Sequence, residues 1–204
     1  MLLPRIYPIT DTRISRLSHA QQVEQLAAGG ATLIQLREKA AAPREFYEAA
    51  LEAMKVARSL GVRIIINDRV DIAIAVGADG AHVGQDDLPP AQARKLLGQE
   101  RIVGYSTHNL EQALAADSLP VDYIAFGPIF QTMTKENPDP VVGLESLSQI
   151  KRHISKPLVA IGGITLERAR SVIEAGADSL AIISDLYSTG DIAGHTRSLL
   201  NCVG

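Results

Sequence analysis

The chain has 204 residues, 46% of them apolar, 21% charged and only 4% aromatic, with no Trp and one Cys. That length and balance suit one globular domain with a buried core rather than a disordered chain. Twenty basic against 23 acidic residues leave a net charge of −3, which excludes a strongly basic nucleic-acid binder, and lone Cys202 excludes an internal disulfide or a Cys-rich zinc site.

Short apolar runs recur along the chain, each followed by an amphipathic stretch. The predicted strands are Ile6–Ile9, Leu33–Leu36, Arg63–Ile66, Gly80–Val83, Arg101–Tyr105, Tyr123–Phe126, Leu158–Ile161 and Ser179–Ile183. Four to six residues with little alternation is the pattern of strands buried on both faces in a parallel sheet. The predicted helices are Ser18–Ala28, Pro43–Leu60, Val70–Val76, Pro89–Leu97, Asn109–Ala116, Leu144–His153, Leu166–Ala175 and Ile192–Leu200. Ser18, Pro43, Pro89–Pro90 and Asn109 with Gln112 are start signals, and Gly29–Gly30, Gly61 and Gly176 are stops. Ala175–Asp178, Val76–Asp79 and Ala28–Ala31 repeat one turn motif before a strand. Eight strand–helix units share the chain at about 25 residues each, so the expected fold is α/β, a single-domain (β/α)₈ TIM barrel over residues 1–204. Arg5 and Pro8 interrupt the N-terminal apolar stretch, no run approaches the ~18 residues of a membrane span, and a cytoplasmic protein is expected.

In such a barrel the site lies at the C-terminal ends of the strands. After the second strand, Gln35, Arg37 and Lys39 alternate onto one face, two cations and an amide that suit an anion. A solvated charged turn is the other reading. Asn67-Asp68 and Gly84-Gln85-Asp86-Asp87 end the next two strands. Their carboxylates would hold Mg²⁺ beside a substrate phosphate, or would simply cap the helices that follow. Ser106 and His108 follow the fifth strand, Ser106 placed to bond a ligand and His108 to cap or pack; His82 reads as a core or lining residue. His19, His153 and His195 carry no signal. Gly127 to Gly143 is a 17-residue loop with Thr132, Thr134 and Lys135, a candidate lid or phosphate loop, or else a decorated surface loop. Gly162-Gly163, Ile183 and Ser184 end the last two strands, where such barrels commonly bind phosphate. The residues therefore outline two anionic ligands and electrostatic catalysis.

Eight motifs in order, Tyr7–Asp11, Gln35–Lys39, Asn67–Arg69, His82–Asp87, Gly104–His108, Phe126–Phe130, Thr132–Lys135 and Ala160–Ile164, resemble those of the thiamine phosphate synthase family over essentially the whole chain. The resemblance implies a transferase that joins hydroxymethylpyrimidine diphosphate to thiazole phosphate, with Mg²⁺ required. It implies pyrimidine-diphosphate contacts at Gln35, Arg37, Lys39, Asn67, Ser106 and Lys135, with Arg37, Lys39, Ser106 and Lys135 in catalysis. It further implies Mg²⁺ ligands at Asp68 and Asp87, and thiazole-phosphate contacts at Thr132, Thr134, Gly163, Ile183 and Ser184. Diphosphate would leave, and the thiazole nitrogen would capture the pyrimidine methylene cation. Gln131 and Asp185 depart from the family pattern; Asp185 is expected to face the helix. A thiazole tautomerase is the nearest alternative, but that branch has a His where Pro128 stands here. A sugar-phosphate isomerase would leave the first anion cluster unused. A silent metabolite-binding regulator would not need Lys39, Asp68 and Asp87. The expected partners are small molecules, with neither nucleic acid nor membrane.

Overall fold

A computed structural model describes residues 3–132, 134 and 139–204. Eight parallel strands close into a barrel in sequence order. They are β1 Ile6–Thr10, β2 Leu33–Leu36, β3 Arg63–Asn67, β4 Gly80–Val83, β5 Ile102–Thr107, β6 Tyr123–Phe126, β7 Leu158–Ile161 and β8 Ser179–Ile182. The helices are α1 Thr12–Ser15, α2 His19–Ala28, α3 Pro43–Leu60, α4 Val70–Val76, α5 Pro90–Leu97, α6 Leu110–Asp117, α7 Gly143–Lys151, α8 Leu166–Glu174 and α9 Ile192–Val203, with a 3₁₀ turn at Ser184–Tyr187. The (β/α)₈ expectation is met, and each predicted strand and helix is present within a few residues. Sequence reasoning missed α1 and the 3₁₀ turn, single turns too short to show a helical period.

Both faces of the strands are apolar for different reasons. One side of each strand, including Ile34, Ile64, Ile66, Val103, Ile124 and Leu180, packs under the helices. The other, including Leu33, Ile65, Ile102, Tyr123 and Val159, fills the barrel. Ser18 caps α2 through a reciprocal box, its Oγ accepting from Gln21 N at 3.2 Å while Gln21 Oε1 accepts from Ser18 N at 2.9 Å.

The repeated turn before the strands has a physical use. Asp79 and Asp178, which end two copies of the motif, each accept a strand N–H from the preceding strand at 2.7 Å, from Ile64 and Leu158 respectively. Asp122 does the same for Val103 at 2.7 Å. The N-terminal edges of β3/β4, β5/β6 and β7/β8 are thereby tied by one carboxylate each, which satisfies a backbone donor that the barrel leaves unpaired. These ties lie at the end of the barrel away from the βα loops, where residues serve stability.

Candidate active site

The mouth of the barrel holds a cavity of about 530 Å³. Gln35, Arg37 and Lys39 enter it from β2 and the turn beyond, while Leu36 sits in the core. Glu38 points the other way, accepting from Thr12 Oγ1 at 2.8 Å and from Ala40 N at 2.9 Å. The strand alternation expected from sequence therefore continues past the strand end, because Glu38 anchors the turn. Arg37 Nη1 is held by Asp11 Oδ2 at 2.7 Å, and Asp11 also caps α1 through Arg13 N and Ile14 N at 3.0 and 3.1 Å. Asp11 is thus a positioning residue that sequence reasoning quoted in a motif without giving it a role.

Asn67, Asp68 and Asp87 line the same side of the cavity. Neither carboxylate caps a helix. Arg69 is the N-cap of α4 and Pro89 that of α5, both without a side-chain cap bond. Asp68 instead has a φ of 62°, a left-handed conformation that costs about 1–3 kcal/mol for a residue with a side chain. It aims its carboxylate at Lys39 Nζ. Asp87 Oδ2 accepts from Gly84 N at 2.7 Å. Burial pushes the Asp87 carboxyl above its usual range, and the neighbouring charge of Asp68 adds to that rise against the Gly84 N–H and Lys39. Two carboxylates so close favour a cation between them. Hard oxygen donors of this kind fit Mg²⁺, which takes one or two protein carboxylates and completes its shell from substrate phosphates and water. Asn67 Nδ2 is buried with no partner among the described residues, a donor that ligand oxygens would satisfy.

Across the cavity stand Thr132, Thr134, Gly163, Ile183 and Ser184. Gly162 and Gly163 have φ of 100° and 63°. A Cβ on Gly162 would lie 2.5 Å from Pro128 Cβ, and one on Gly163 would lie 2.5 Å from Gln131 O. The pair is glycine to seat the loop after β6 as much as to expose backbone to an anion. Thr134 N donates to Thr132 Oγ1 at 3.3 Å, which folds that stretch back on itself. Lys135 lies outside the described residues.

Asp185 faces the helices as expected: its Oδ2 accepts from Leu166 N at 3.0 Å and lies 2.7 Å from His195 Nε2. His195 therefore does carry a role, as the partner of Asp185. His19, also without signal in the sequence, is buried beneath Glu38 and bonds Thr10 Oγ1 through Nδ1 at 2.8 Å. Burial lowers its pKa, opposed by Glu38 and Asp11. His108 packs, with Nδ1 on Gly127 O at 2.8 Å, and ties β5 to the base of the long loop.

Tyr7, His82 and Tyr123 complete the floor; the sequence reads His82 as a core or lining residue, carries Tyr7 in a motif without a role, and gives Tyr123 none. His82 Nδ1 lies 3.0 Å from Tyr123 Oη, and its Nε2 lies 2.7 Å from Ser106 Oγ. Burial pushes His82 down to about 4, with Asp87 opposing and His108 and Lys39 reinforcing, so the ring is neutral at physiological pH. The signal for this floor is Gly104. It pairs with His82 on β4 and with Tyr123 on β6, and both side chains occupy the space its own would take.

Comparison with known proteins now decides the family. The family model for thiamine monophosphate synthase matches residues 6–186. The chain belongs to the thiamine monophosphate synthase family. The activity that goes with membership is thiamine-phosphate synthesis, an enzyme activity of the transferase class. Among curated relatives, a thiamine-phosphate synthase of Koribacter versatilis is 52% identical over 191 residues, covering 90% of this chain and 89% of the relative. One from Chloroflexus aurantiacus is 46% identical over 196 residues, covering 96% and 90%. Among solved structures, a thiamine phosphate pyrophosphorylase from Pyrococcus furiosus superposes with a TM-score of 0.87 at 36% identity, covering 97% of this chain and 94% of that one.

Proposed function

We propose that this synthase couples hydroxymethylpyrimidine diphosphate to thiazole phosphate, forming thiamine phosphate and diphosphate with Mg²⁺ at Asp68 and Asp87. The observation that carries this reading is one cavity with two unlike anion-binding walls. Arg37, Lys39 and the Asp68–Asp87 pair form one, and Thr132, Thr134, Gly163 and Ser184 form the other. A tautomerase acting on thiazole phosphate alone would use only the second wall.

Arg37 offers a planar fork to diphosphate oxygens, preset by Asp11, and Lys39 a mobile ammonium beside the carboxylates. Bound Mg²⁺ would neutralise charge that develops on the departing diphosphate. Arg37 and Lys39 stabilise the same charge, a role that the family resemblance extends to Lys135. Ser106 and Gln35 hold the pyrimidine, while the hydroxyls of Thr132, Thr134 and Ser184 hold the thiazole phosphate so that the thiazole nitrogen faces the methylene carbon. The C–O bond to diphosphate breaks first, its electron pair leaving with the diphosphate, and the nitrogen's lone pair then captures the pyrimidine methylene cation to form the new C–N bond. The nitrogen carries no proton to lose, so the site needs no general base. The free thiol of Cys202 suits the reducing cytoplasm, where we place the reaction.

The test is a coupling assay with both substrates, with and without Mg²⁺. Thiamine phosphate should form only with the metal, and Lys39→Ala and Asp87→Ala should each lower the rate by about 10²–10³ while retaining the fold by circular dichroism. Full turnover in either variant, or in a chelator, refutes the assignment.

A further inference from the structure

Five side chains form an unbroken hydrogen-bonded line across the barrel floor. Gln35 Nε2 donates to Tyr7 Oη at 3.0 Å, and Tyr7 Oη lies 3.0 Å from Tyr123 Oη. From there the line runs to His82 Nδ1 at 3.0 Å and from His82 Nε2 to Ser106 Oγ at 2.7 Å. It crosses β2, β1, β6, β4 and β5, and it begins and ends on two residues of the pyrimidine-diphosphate wall. We propose that Tyr7, Tyr123 and His82 are positioning residues that fix the hydrogen-bond polarity of those two ends, so that Ser106 presents a hydroxyl proton to the substrate and Gln35 its carbonyl oxygen. The inference rests on the reading that Gln35 and Ser106 contact the pyrimidine.

The polarity follows from counting protons. An amide nitrogen only donates, so Tyr7 Oη accepts from Gln35 and must spend its one proton on Tyr123. Tyr123 then accepts from Tyr7 and spends its proton on His82 Nδ1. A neutral imidazole with an acceptor Nδ1 carries its proton on Nε2, which donates to Ser106 Oγ. The Ser106 proton is left over and is free for the cavity. Gln35 Oε1 has no partner among the described residues and is free as well. No member can lose or gain a proton near neutrality, because burial raises both phenols and keeps the imidazole uncharged. A ligand that meets both ends must bring an acceptor to Ser106 and a donor to Gln35. A heterocycle with an amino group and an unprotonated ring nitrogen supplies both.

The line is also sterically committed. The Tyr7 and Tyr123 rings meet edge to face at 5.9 Å, and His82 stacks on Tyr123 at 5.5 Å. A Cβ on Gly104 would lie 2.3 Å from Tyr123 Oη and 2.5 Å from His82 Nδ1, so the one strand position between them is kept bare.

Two measurements test the proposal. In ¹⁵N-histidine NMR of the wild-type protein at neutral pH, His82 should be neutral with its proton on Nε2; a proton on Nδ1 overturns the polarity. In steady-state kinetics, Tyr123→Phe and Ser106→Ala should each lower kcat/KM for the pyrimidine diphosphate about tenfold and leave KM for thiazole phosphate within about twofold. The double variant should lose well under the product of the two, because Tyr123 acts in part through Ser106. Losses that multiply overturn the relay while leaving the substrate reading intact. Full kcat/KM in Ser106→Ala removes instead the contact on which the inference rests.

Discussion

Gly104→Ala is the substitution most revealing of how this site is built. The added Cβ would lie 2.1 Å from Tyr123 Cζ, 2.3 Å from its oxygen and 2.5 Å from His82 Nδ1. Neither neighbour is the free end of a flexible chain: Tyr123 is fully buried against Tyr7, and His82 is held at both ring nitrogens. Overpacking of this kind costs about 1–3 kcal/mol. Moving Tyr123 also breaks its bonds to Tyr7 and His82, each worth about 1 kcal/mol and more where a buried group is left unpaired. The sum is about 3–5 kcal/mol, a large share of a typical stability of about 5–15 kcal/mol. Urea denaturation should read that loss directly, and a thermal scan should show a fall of about 6–20 °C. Tyr123→Phe in the same background should not restore stability, since the clash with the ring carbon remains. A loss under about 1 kcal/mol, with kcat/KM unchanged, would refute both the packing argument and the rigidity assigned to the floor.

Asp79→Ala should cost about 1–3 kcal/mol in urea denaturation, because Ile64 N loses its carboxylate partner at the end of the barrel opposite the site, and kcat should stay at the wild-type value; a fall in kcat matching that of Lys39→Ala or Asp87→Ala would contradict that separation of roles. Thr134→Val should raise KM for thiazole phosphate about five- to tenfold and leave that for the pyrimidine diphosphate nearly unchanged, which initial-rate kinetics with each substrate varied in turn would show; equal effects would argue against two walls. His19, held below its ordinary pKa by burial, binds a proton more readily in the unfolded chain, so its contribution is complete above about pH 6.5 and is lost as pH falls from there toward its lowered folded value. Urea midpoints should therefore drop less between pH 7 and 5.5 in His19→Gln than in wild type, with the same-signed slope of His82 remaining in both; identical drops would place His19 outside the acid transition.

The barrel was legible because its determinants are local. Runs such as Tyr123–Phe126 and Leu158–Ile161 are apolar on both faces, and Ser18 and Asn109 announce their helices with side chains that do cap them. The turn motif was legible as a repeat but not as a device. That Asp79 and Asp178 tie a neighbouring strand appears only when β3 lies beside β4 and β7 beside β8. Boundaries slipped where a polar residue continues a strand: β5 runs through Ser106 to Thr107, two residues past its apolar run, and this places Ser106 inside the barrel rather than on a loop.

The site divides along the same physical line. Gln35, Arg37 and Lys39 were readable from strand alternation, because one strand alone decides which side chains share a face. For Asp68 and Asp87 the local reading was ambiguous between capping and metal binding, and it is the left-handed backbone of Asp68 that decides against capping, by turning its carboxylate toward Lys39 and Asp87. No single segment predicts that conformation, since Asn67-Asp68-Arg69 carries no glycine to mark it. The roles of Tyr7 and Tyr123 were invisible for a different reason. They are 116 positions apart, each apolar enough to pass for core, and their function lies in a hydroxyl-to-hydroxyl contact that exists only in the closed barrel. What the sequence does carry of that contact is an omission, the missing side chain at Gly104 between His82 and Tyr123. A glycine in the middle of a buried strand weakens it, so its presence marks a place where something else needs the room. Here the room is taken by the polar floor that sets what Ser106 and Gln35 can offer a substrate.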